Sequence, residues 1–245
     1  MAEYLEGNID VIIPTYNRRH TLGRAIDSVL IQSLKPTEII IVDDGSTDGT
    51  QELISINYPD ITYIKSENKG VSAARNLGIK HSQSDWLAFL DSDDFWYSNK
   101  LEIINQYIKN NNSANVICAN ELIVDNILKR KKIWKYGPFN KNFYKKLLLD
   151  GNCVSTSASV VKKNFIDLKN IKFNERKDFV TAEDYDFFLN LALKKAEFKF
   201  INETLGEHLF HTKSESSNYE KHRSAIKTVL KHHAFNVQNF SHKKE

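Results

Sequence analysis

Residues 38–50 have the sequence EIIIVDDGSTDGT, which joins a β-branched run to a polar turn. The four residues Ile39-Ile40-Ile41-Val42 are all β-branched, and an uninterrupted run of this kind predicts a strand that is buried on both faces. The Asp43-Asp44-Gly45 that follows is typical of the turn that ends such a strand. Because residues 47–54 then predict a short helix, this stretch encodes a strand followed directly by a helix.

The same order of strand and helix occurs on both sides of this stretch. Short β-branched runs predict strands, and apolar residues at helical spacing predict helices. The predicted strands cover residues 9–13, 38–42, 61–64 and 86–90, and the predicted helices cover residues 21–34, 47–54, 71–79 and 99–108. Four repeats of this order predict right-handed βαβ crossovers and a parallel sheet covered on both faces. Ligands of such sheets bind at the carboxyl ends of the strands.

The second half of the chain is less regular. It predicts strands at residues 115–124 and 198–201, a hairpin or loop at 129–136, helices at 143–149 and 185–193, and an amphipathic helix within 222–240. We therefore expect an α/β fold with a mostly parallel sheet flanked by helices. Its expected parts are residues 1–110, a smaller region over 111–217 in the same domain, and a C-terminal helix with a basic tail over 218–245.

The composition is that of a globular protein. Of the 245 residues, 41% are hydrophobic and 27% are charged, which argues against wholesale disorder. The two cysteines, Cys118 and Cys153, are too few for a disulfide scaffold and lack the spacing of a zinc site. A reduced, cytoplasmic location is therefore expected. The acidic start has no apolar segment typical of a signal peptide, and no apolar run approaches the ~18 residues of a membrane span.

The charges are distributed unevenly along the chain. Residues 1–125 contain 10 basic and 18 acidic side chains, whereas residues 126–245 contain 24 basic and 13 acidic ones. The basic half could face solvent, the anionic inner face of a membrane, or a lipid-diphosphate acceptor. A nucleic-acid partner is disfavoured, since no recognised binding module is present and the aromatic residues do not form a stacking platform.

Asp91-x-Asp93 directly follows the strand predicted at residues 86–90. Two carboxylates two positions apart at a strand end can converge on Mg²⁺ or Mn²⁺, which prefer oxygen ligands and also bind substrate phosphates. An isolated motif of this kind can also be a solvated acidic turn. An aspartyl-phosphate phosphatase is disfavoured, because its motif would follow the first strand, whereas this one follows the fourth.

Polar residues also follow the first two predicted strands. A carboxylate such as Asp43 or Asp44 can accept hydrogen bonds from ribose hydroxyls. The first turn contains Pro14-Thr15-Tyr16-Asn17, where Tyr16 could stack on a nucleobase or cover the sheet edge. Neither Gly-x-Gly-x-x-Gly after the first strand nor a P-loop sequence is present, which disfavours a nicotinamide or P-loop nucleotide site.

Four segments together resemble the inverting family 2 glycosyltransferases of the GT-A fold, of the kind that builds bacterial polysaccharides. These segments are Val-Ile-Ile-Pro-Thr-Tyr-Asn at 11–17, Ile-Val-Asp-Asp-Gly-Ser-Thr-Asp-Gly-Thr at 41–50, Asn-Lys-Gly-Val-Ser-Ala-Ala-Arg-Asn at 68–76 and Phe-Leu-Asp-Ser-Asp-Asp at 89–94. The likeness is strong over residues 9–100 and fainter to residue 217. In that fainter part, residues 151–157 resemble the family's glycine loop, 182–186 its acidic catalytic motif and 211–216 its histidine segment.

The resemblance implies a GT-A fold and a UDP-sugar donor. The residues implied to bind the uridine and the nearby ribose and sugar are Pro14, Thr15, Tyr16, Asn17, Asp43, Asp44, Asn68, Gly70, Arg75, Asp91 and Ser92. It also implies that Asp93 and His211 bind Mn²⁺ or Mg²⁺.

The acidic motif Glu183-Asp184 would supply the general base, with Asp184 as the base and Glu183 positioning the acceptor; the two roles could also be exchanged. Carboxylates at this position also favour the N-terminus of the predicted 185–193 helix, which is a purely structural alternative. One departure is that His208-Leu209 stands where family members often have Tyr-Arg, so an arginine contact with the diphosphate is not expected.

The function implied by the resemblance is inverting transfer from a UDP-sugar to a hydroxyl of a glycan or lipid-linked oligosaccharide acceptor. Peripheral contact with an anionic membrane and a homodimer through the C-terminal helix are further expectations. The alternative is a catalytically silent sugar-nucleotide or glycan-binding module that keeps the fold.

Overall fold

The computed structural model describes residues 7–210 and 218–237. Its strands are β1 Ile9–Thr15, β2 Glu38–Asp43, β3 Thr62–Lys65, β4 Trp86–Phe89, β5 Phe95–Trp96, β6 Val116–Asp125, β7 Arg130–Trp134, β8 Ser159–Lys162 and β9 Phe198–Phe210. Its α-helices are α1 Arg19–Leu30, α2 Thr50–Asn57, α3 Val71–His81, α4 Lys100–Asn110, α5 Phe143–Asp150, α6 Lys163–Lys169, α7 Glu183–Leu193 and α8 Tyr219–Lys231. A 3₁₀ turn covers Lys177–Phe179, and a π-helical segment, His232–Val237, follows α8.

The described strands form one mixed sheet in the order β3-β2-β1-β4-β8-β6-β9-β5, and β7 pairs with β6 outside this path. The first four strands in this order are parallel, as the alternation of strand and helix predicts. Strand β8 then pairs with β4 in the antiparallel direction. The first half of the chain thus builds a parallel half-sheet, and the second half extends it as a mixed one.

The register of the parallel strands brings their polar ends together. Thr15 at the end of β1 lies opposite Asp43 at the end of β2. On the other side of β1, Ile12 pairs with Phe89 at the end of β4, so the acidic segment that begins at Asp91 leaves the sheet at the same edge. One sheet edge therefore carries the three polar turns that the sequence places after strands.

The two faces of the sheet bury alternate residues of each strand. Ile12 and Ile40 belong to the apolar cluster that contains α3 and α7, whereas Val11 and Ile41 belong to the cluster that contains α1 and α4. This alternation follows from the two-residue period of a strand. Helix α3 approaches β1 closely at Gly78, where an added Cβ would lie 2.5 Å from a methyl group of Ile12.

Two elements of the second half differ from the sequence predictions, and one ambiguous segment takes one of its two predicted forms. Strand β9 is 13 residues long instead of four, because it pairs with β6 through two register shifts that the sequence pattern does not show. Of the hairpin and the loop predicted for residues 129–136, the hairpin forms, since β7 pairs with β6. Helix α8 ends at Lys231, short of the predicted residue 240, and the π-helical segment that follows it contains the fully buried His233. Within the described ranges, no helix is both long and apolar enough to cross a membrane.

Candidate functional site

A cavity of about 1060 Å³ lies at the sheet edge where β1, β2 and β4 end. The sequence-predicted residues that line it are Pro14, Thr15, Tyr16, Asn17, Asp44, Asn68, Gly70, Arg75, Asp91, Ser92, Asp93, Glu183 and Asp184. Residues far apart in the chain are therefore brought to one cavity. His211 lies outside the described residues, and Asp43 does not line the cavity.

Asn17 connects the turn after β1 to the turn after β2 through two hydrogen bonds. Its amide oxygen accepts a hydrogen bond from Thr47 N at 2.9 Å, and its backbone N–H donates to Ser46 Oγ at 2.8 Å. Asn17 has a positive φ of 51°, a conformation that Asn adopts more readily than most residues. Thr15 Oγ1 is buried and makes no hydrogen bond within the described part of the chain.

The two adjacent aspartates after β2 have different tasks. Asp44 accepts hydrogen bonds from the backbone N–H groups of Lys69 and Gly70, both at 2.8 Å, and so holds the loop that enters α3. Asp43 is fully buried, where it accepts hydrogen bonds from Ser46 N at 2.7 Å and from the Tyr63 hydroxyl. Burial, with Asp43 as its hydrogen-bond partner, raises the pKa of Tyr63. The structure places Asp43 beneath the turn rather than in the cavity, where uridine contact was expected.

Arg75 links the end of β4 to the start of α7. Its Nη2 lies 2.6 Å from Asp91 Oδ1 and its Nη1 lies 3.0 Å from Glu183 Oε1. The guanidinium is buried and stacks 5.1 Å above the ring of Phe173. Burial by itself lowers the pKa of Arg75, but the two carboxylates outweigh it and the pKa is raised. A buried cation needs such partners. Arg75 therefore fixes the acidic turn that contains Asp91 relative to the start of α7, which contains Glu183.

Glu183 uses both carboxylate oxygens inside the protein. Oε1 pairs with Arg75, and Oε2 accepts a hydrogen bond from Thr181 N at 2.8 Å. Thr181 has a φ of 82°, which is unfavourable for a β-branched residue and is stabilised by this contact. Glu183 therefore shapes the entry to α7.

Asp184 is more open than its neighbour and faces the cavity. Its Oδ2 accepts a hydrogen bond of 3.3 Å from the Asn152 side chain, and its Oδ1 accepts one of 2.7 Å from Tyr185 N. Burial and the adjacent Glu183 raise the pKa of Asp184 to about 7, against the opposing effect of Arg75. A carboxyl group with such a pKa can exchange protons near neutral pH.

Asp94 and His208 form a pair beside Asp93. Asp94 is buried; its Oδ1 accepts a hydrogen bond from Leu209 N at 3.0 Å and its Oδ2 lies 3.1 Å from His208 Nδ1. The carboxylate of Asp94 raises the pKa of His208 to about 10, despite the opposing effect of burial. A raised pKa favours the cationic form of His208, which lines the cavity. His208 belongs to the segment in which family members often have an arginine that this chain lacks. Sequence reasoning gave Asp94 no role.

Comparison with known proteins identifies the family. The family model described as Glycosyl transferase family 2 matches residues 10–168, which is well over half of the chain. This chain belongs to glycosyl transferase family 2. The resemblance seen in the four sequence segments is thereby confirmed.

Two relatives of this family 2 protein illustrate the match. An uncharacterized glycosyltransferase of Rickettsia felis is 51% identical over 106 residues, which are 42% of this chain and 18% of that protein. The chain thus spans only a small part of that relative's length. The Escherichia coli UDP-Glc:alpha-D-GlcNAc-diphosphoundecaprenol beta-1,3-glucosyltransferase WfgD is 34% identical over 205 residues, which are 82% of this chain and 75% of that protein.

A solved structure confirms the fold of this family 2 protein. The S. aureus TarS 1–349 fragment in complex with UDP-GlcNAc superimposes with a TM-score of 0.70. The superposition covers 91% of this chain and 65% of that one at 19% sequence identity. The GT-A fold predicted from the sequence is therefore confirmed.

The carboxylates of the family 2 site fit a hard divalent cation. Asp91 and Asp93 both line the cavity, and Asp91 Oδ1 already pairs with Arg75. Residues 7–210 and 218–237 contain no group of three or more His, Cys, Asp or Glu side chains arranged to hold a metal ion. Mg²⁺ and Mn²⁺ commonly use only one or two carboxylates and complete their shell with substrate phosphates and water, so the donor set is adequate.

Part of the cavity lining is aromatic and apolar, and the sequence patterns did not predict it. The rings of Trp134 and Tyr136 are stacked with centroids 6.5 Å apart and planes 9° from parallel. Helix α8 contributes Ile226 and Leu230, and its His222 Nδ1 lies 2.9 Å from the Thr181 carbonyl oxygen. The amphipathic pattern of α8 predicts a buried face but does not say which surface covers it. A homodimer through this helix stays a prediction.

Proposed function

We propose that this family 2 protein transfers a sugar from a UDP-sugar to a hydroxyl group of a glycan acceptor, with inversion at the anomeric carbon. The observation that carries the proposal is the position of Asp184. This carboxyl group, with a pKa raised to about 7, shares one cavity with the turn after β1 and with Asp91-Ser92-Asp93. A base and a nucleotide-sized polar site in one cavity are what such a transfer requires.

The donor would lie over the ends of β1 and β4. Thr15 Oγ1 is a buried hydroxyl with no hydrogen bond in the described chain, and the half-exposed Tyr16 ring lies beside it in the cavity wall. The hydroxyl group suits the polar edge of a nucleobase, and the aromatic ring suits its flat surface. The UDP-GlcNAc bound by the structurally similar TarS fragment supports a UDP-sugar.

We assign the general base to Asp184 and a positioning role to Glu183. Glu183 is buried and forms an ion pair with the buried Arg75, whereas Asp184 is more exposed, so an acceptor hydroxyl can approach Asp184 more readily. Asp184 faces the cavity, and Asn152 orients its carboxylate. The contacts of this structure thus favour one of the two roles that the sequence left interchangeable.

The proposed reaction is a single displacement. The acceptor hydroxyl loses its proton to Asp184, and its oxygen attacks the anomeric carbon from the face opposite the diphosphate. The bond from the anomeric carbon to the diphosphate oxygen breaks, and UDP leaves with that electron pair. One displacement inverts the configuration, so an α-linked donor gives a β-linked product.

Asp93, with Asp91 beside it, would hold Mn²⁺ or Mg²⁺, and His211 is the further ligand that the sequence resemblance implies. The ion would supply positive charge that stabilises the departing diphosphate. His208, which is cationic because of Asp94, adds a positive charge of the protein itself to the same wall.

We propose a lipid-linked glycan as the acceptor. The named Escherichia coli relative acts on GlcNAc-diphosphoundecaprenol, which is a lipid-linked sugar diphosphate. The stacked Trp134 and Tyr136 offer a flat apolar surface of the kind that packs on a sugar ring. The excess of basic residues after residue 125 suits peripheral contact with an anionic membrane that contains such an acceptor.

The test is UDP release from a panel of UDP-sugars with a GlcNAc-diphospholipid acceptor and Mn²⁺. Wild-type protein should release UDP only with the acceptor present, and Asp184→Asn should reduce the rate by about 10²–10⁴-fold. Asp167→Asn on the exposed side of α6 is the matched control and should retain the wild-type rate. UDP binding without any turnover would instead identify a silent binding module. Equal turnover by wild type and Asp184→Asn would remove the base assignment.

A further inference from the structure

The hairpin of β6 and β7 combines an exposed apolar tip with a basic flank. Ile127 and Leu128 at the tip are 45% and 60% exposed, and on β7 Ile133 and Trp134 are 51% and 54% exposed. The segment between these two pairs is Lys129-Arg130-Lys131-Lys132, whose four side chains are also exposed. Large apolar side chains gathered at a protruding tip are costly in water and mark a contact surface.

We propose that this hairpin docks the protein on an anionic membrane, with Ile127 and Leu128 inserted among the lipid headgroups and acyl chain ends. The docking surface is defined as residues 127–133. The proposed membrane contact is argued from the hairpin alone. Its connection to a lipid-linked acceptor rests on the proposed function.

The tip is built to hold its apolar side chains outward. Asp125 Oδ1 accepts hydrogen bonds from the backbone N–H groups of Ile127 at 2.9 Å and Leu128 at 2.8 Å. Asn126 N donates to the Phe210 carbonyl oxygen at 3.0 Å, which ties the tip to β9. Lys129 closes the turn with a φ of 53°. Because the tip backbone is already ordered by these bonds, inserting its side chains loses little conformational entropy.

The flank has the charge that an anionic surface attracts. Four consecutive basic side chains follow the apolar pair, and each Lys or Arg near such a surface strengthens binding by about fivefold at physiological salt. Lysines on an edge strand can also prevent pairing with another sheet edge. Prevention of edge pairing requires only the charges, however, and does not explain the exposed Ile127 and Leu128 at the tip.

The hairpin also connects the docking surface to the cavity. Ile123 and Trp134 line the cavity from β6 and β7, and the tip begins a few residues beyond them. At the rise of a strand, the tip lies roughly 10 Å from Ile123 and roughly 20 Å from Trp134, which is paired with Glu121. A membrane-bound tip would therefore hold Ile123 within roughly 10 Å and Trp134 within roughly 20 Å of the membrane, where a lipid-linked sugar diphosphate is presented.

The first experiment is sedimentation of the full chain with vesicles, without donor or acceptor. We expect binding to phosphatidylcholine vesicles that contain phosphatidylglycerol and much weaker binding to phosphatidylcholine alone. The variant Ile127→Ser/Leu128→Ser should bind at least about tenfold more weakly, since two apolar side chains are removed. Lys131→Gln/Lys132→Gln should lower the affinity by about fivefold per charge, a loss that high salt removes. Ile56→Ser, a matched control 76% exposed on α2, should bind like wild type.

Tryptophan emission gives a second, independent measurement. Of the three tryptophans in the chain, Trp86 and Trp96 are buried, whereas Trp134 is 54% exposed beside the docking surface. Anionic vesicles should shift the emission to shorter wavelength, and a brominated lipid should quench it. Wild-type binding by the tip variant, equal losses in the Ile56→Ser control, or unchanged emission would each overturn the proposal.

The two proposals fail in distinguishable ways. UDP release with a water-soluble acceptor, measured without vesicles, should be unchanged in the tip variant, because Ile127 and Leu128 do not line the cavity. Vesicle binding without transfer in any protein would refute the proposed function and leave the hairpin proposal intact. Transfer without vesicle binding would refute the hairpin proposal alone.

Discussion

Arg75 Nη1 lies 3.0 Å from Glu183 Oε1, which joins helix α3 to helix α7 beneath the cavity. Both side chains are almost fully buried, and Arg75 also pairs with Asp91 at 2.6 Å. The acidic turn that contains Asp91 and helix α7, which contains the proposed base, are therefore both bound by Arg75. Contacts that affect one of them are expected to affect the other.

Replacing Glu183 with Gln should destabilise the protein. The change removes a carboxylate from a buried pair and leaves Arg75 with only one charged partner, so the free energy of unfolding should fall by about 3 kcal/mol. Urea unfolding followed by circular dichroism measures this. Asp178→Asn, which removes the exposed partner of Arg176 on the surface, should change the same quantity by less than about 1 kcal/mol. Equal effects of the two variants would show that the buried pair has no special role.

The rate of sugar transfer should depend on the ionisation of Asp184. Because the pKa of this carboxyl group is raised to about 7, the active, ionised form increases as the pH rises through neutrality. The first-order rate under saturating substrates should fall about tenfold per pH unit well below pH 7 and level off above it. A pH–rate profile between pH 5 and 9 measures this. A flat profile over that range would contradict the assignment of the base.

Asp184 should also lower stability at alkaline pH. Its pKa is raised in the folded state from 3.8 to about 7, so between these values the folded state binds more protons than the unfolded state. Stability must then decrease as pH rises across that interval. Asp184→Asn, which cannot ionise, should be more stable than wild type at pH 8 by roughly 1–3 kcal/mol. Thermal or urea unfolding at pH 4 and pH 8 tests this, and the difference should vanish at pH 4.

Asn152 should act as a positioning residue for Asp184. Its side chain donates to Asp184 Oδ2 at 3.3 Å, a contact that favours the ionised carboxylate. Asn152→Ala should therefore reduce kcat by about tenfold and move the acidic limb of the pH–rate profile to higher pH. A purely structural role would lower the amount of folded protein without moving that limb.

Trp134 should matter for the acceptor and not for the donor. Its ring stacks on Tyr136 in the part of the cavity lining that comes from the β6–β7 hairpin. Trp134→Ala should raise the acceptor KM by about tenfold, in line with the loss of about 1–2 kcal/mol of aromatic packing, and leave the KM of the UDP-sugar unchanged. Both measurements use a water-soluble acceptor without vesicles, and Ile133→Ala is then the neighbouring control, because Ile133 does not line the cavity. A parallel rise of both KM values would contradict the division of the cavity into donor and acceptor sides.

The buried His233 should anchor the C-terminal helix to α7. Its Nε2 lies 2.9 Å from Asp186 Oδ1 and its Nδ1 lies 3.0 Å from the Tyr144 hydroxyl oxygen. His233→Ala leaves buried polar groups without this partner and should lower the free energy of unfolding by about 3 kcal/mol, against about 1 kcal/mol for Tyr144→Phe. Hydrogen exchange of α8 should be faster in His233→Ala. Unchanged protection of α8 would contradict the anchoring role.

The parallel half of the fold and the polar strand ends that line the cavity could be predicted from the sequence. The β-branched runs near residues 9, 38 and 86 each end in a polar turn, and parallel pairing brings such ends to one edge. The position of Asp44, Asp91 and Asp93 at one cavity follows from that local order. The sequence resemblance likewise placed Glu183 and Asp184 at the cavity, although their roles stayed open.

Other features depended on contacts between distant residues. Adjacent carboxylates such as Asp43 and Asp44, or Glu183 and Asp184, have the same local chemistry, and only their surroundings distinguish them. Asp43 is enclosed by Tyr63 and Ser46, while Glu183 is engaged by Arg75, which is 108 positions away. Periodicity records which face of α8 is apolar but not that this face closes a cavity.

By itself, the sequence determined the family, the parallel half-sheet and the edge at which the site lies, because short-range patterns of hydrophobicity and turn chemistry encode them. Only the tertiary structure decided which carboxylate faces the cavity, which histidine pairs with the buried Asp94, and where the apolar hairpin tip lies. Burial, hydrogen-bond partners and pKa values arise from residues that are distant in sequence, so no local pattern records them.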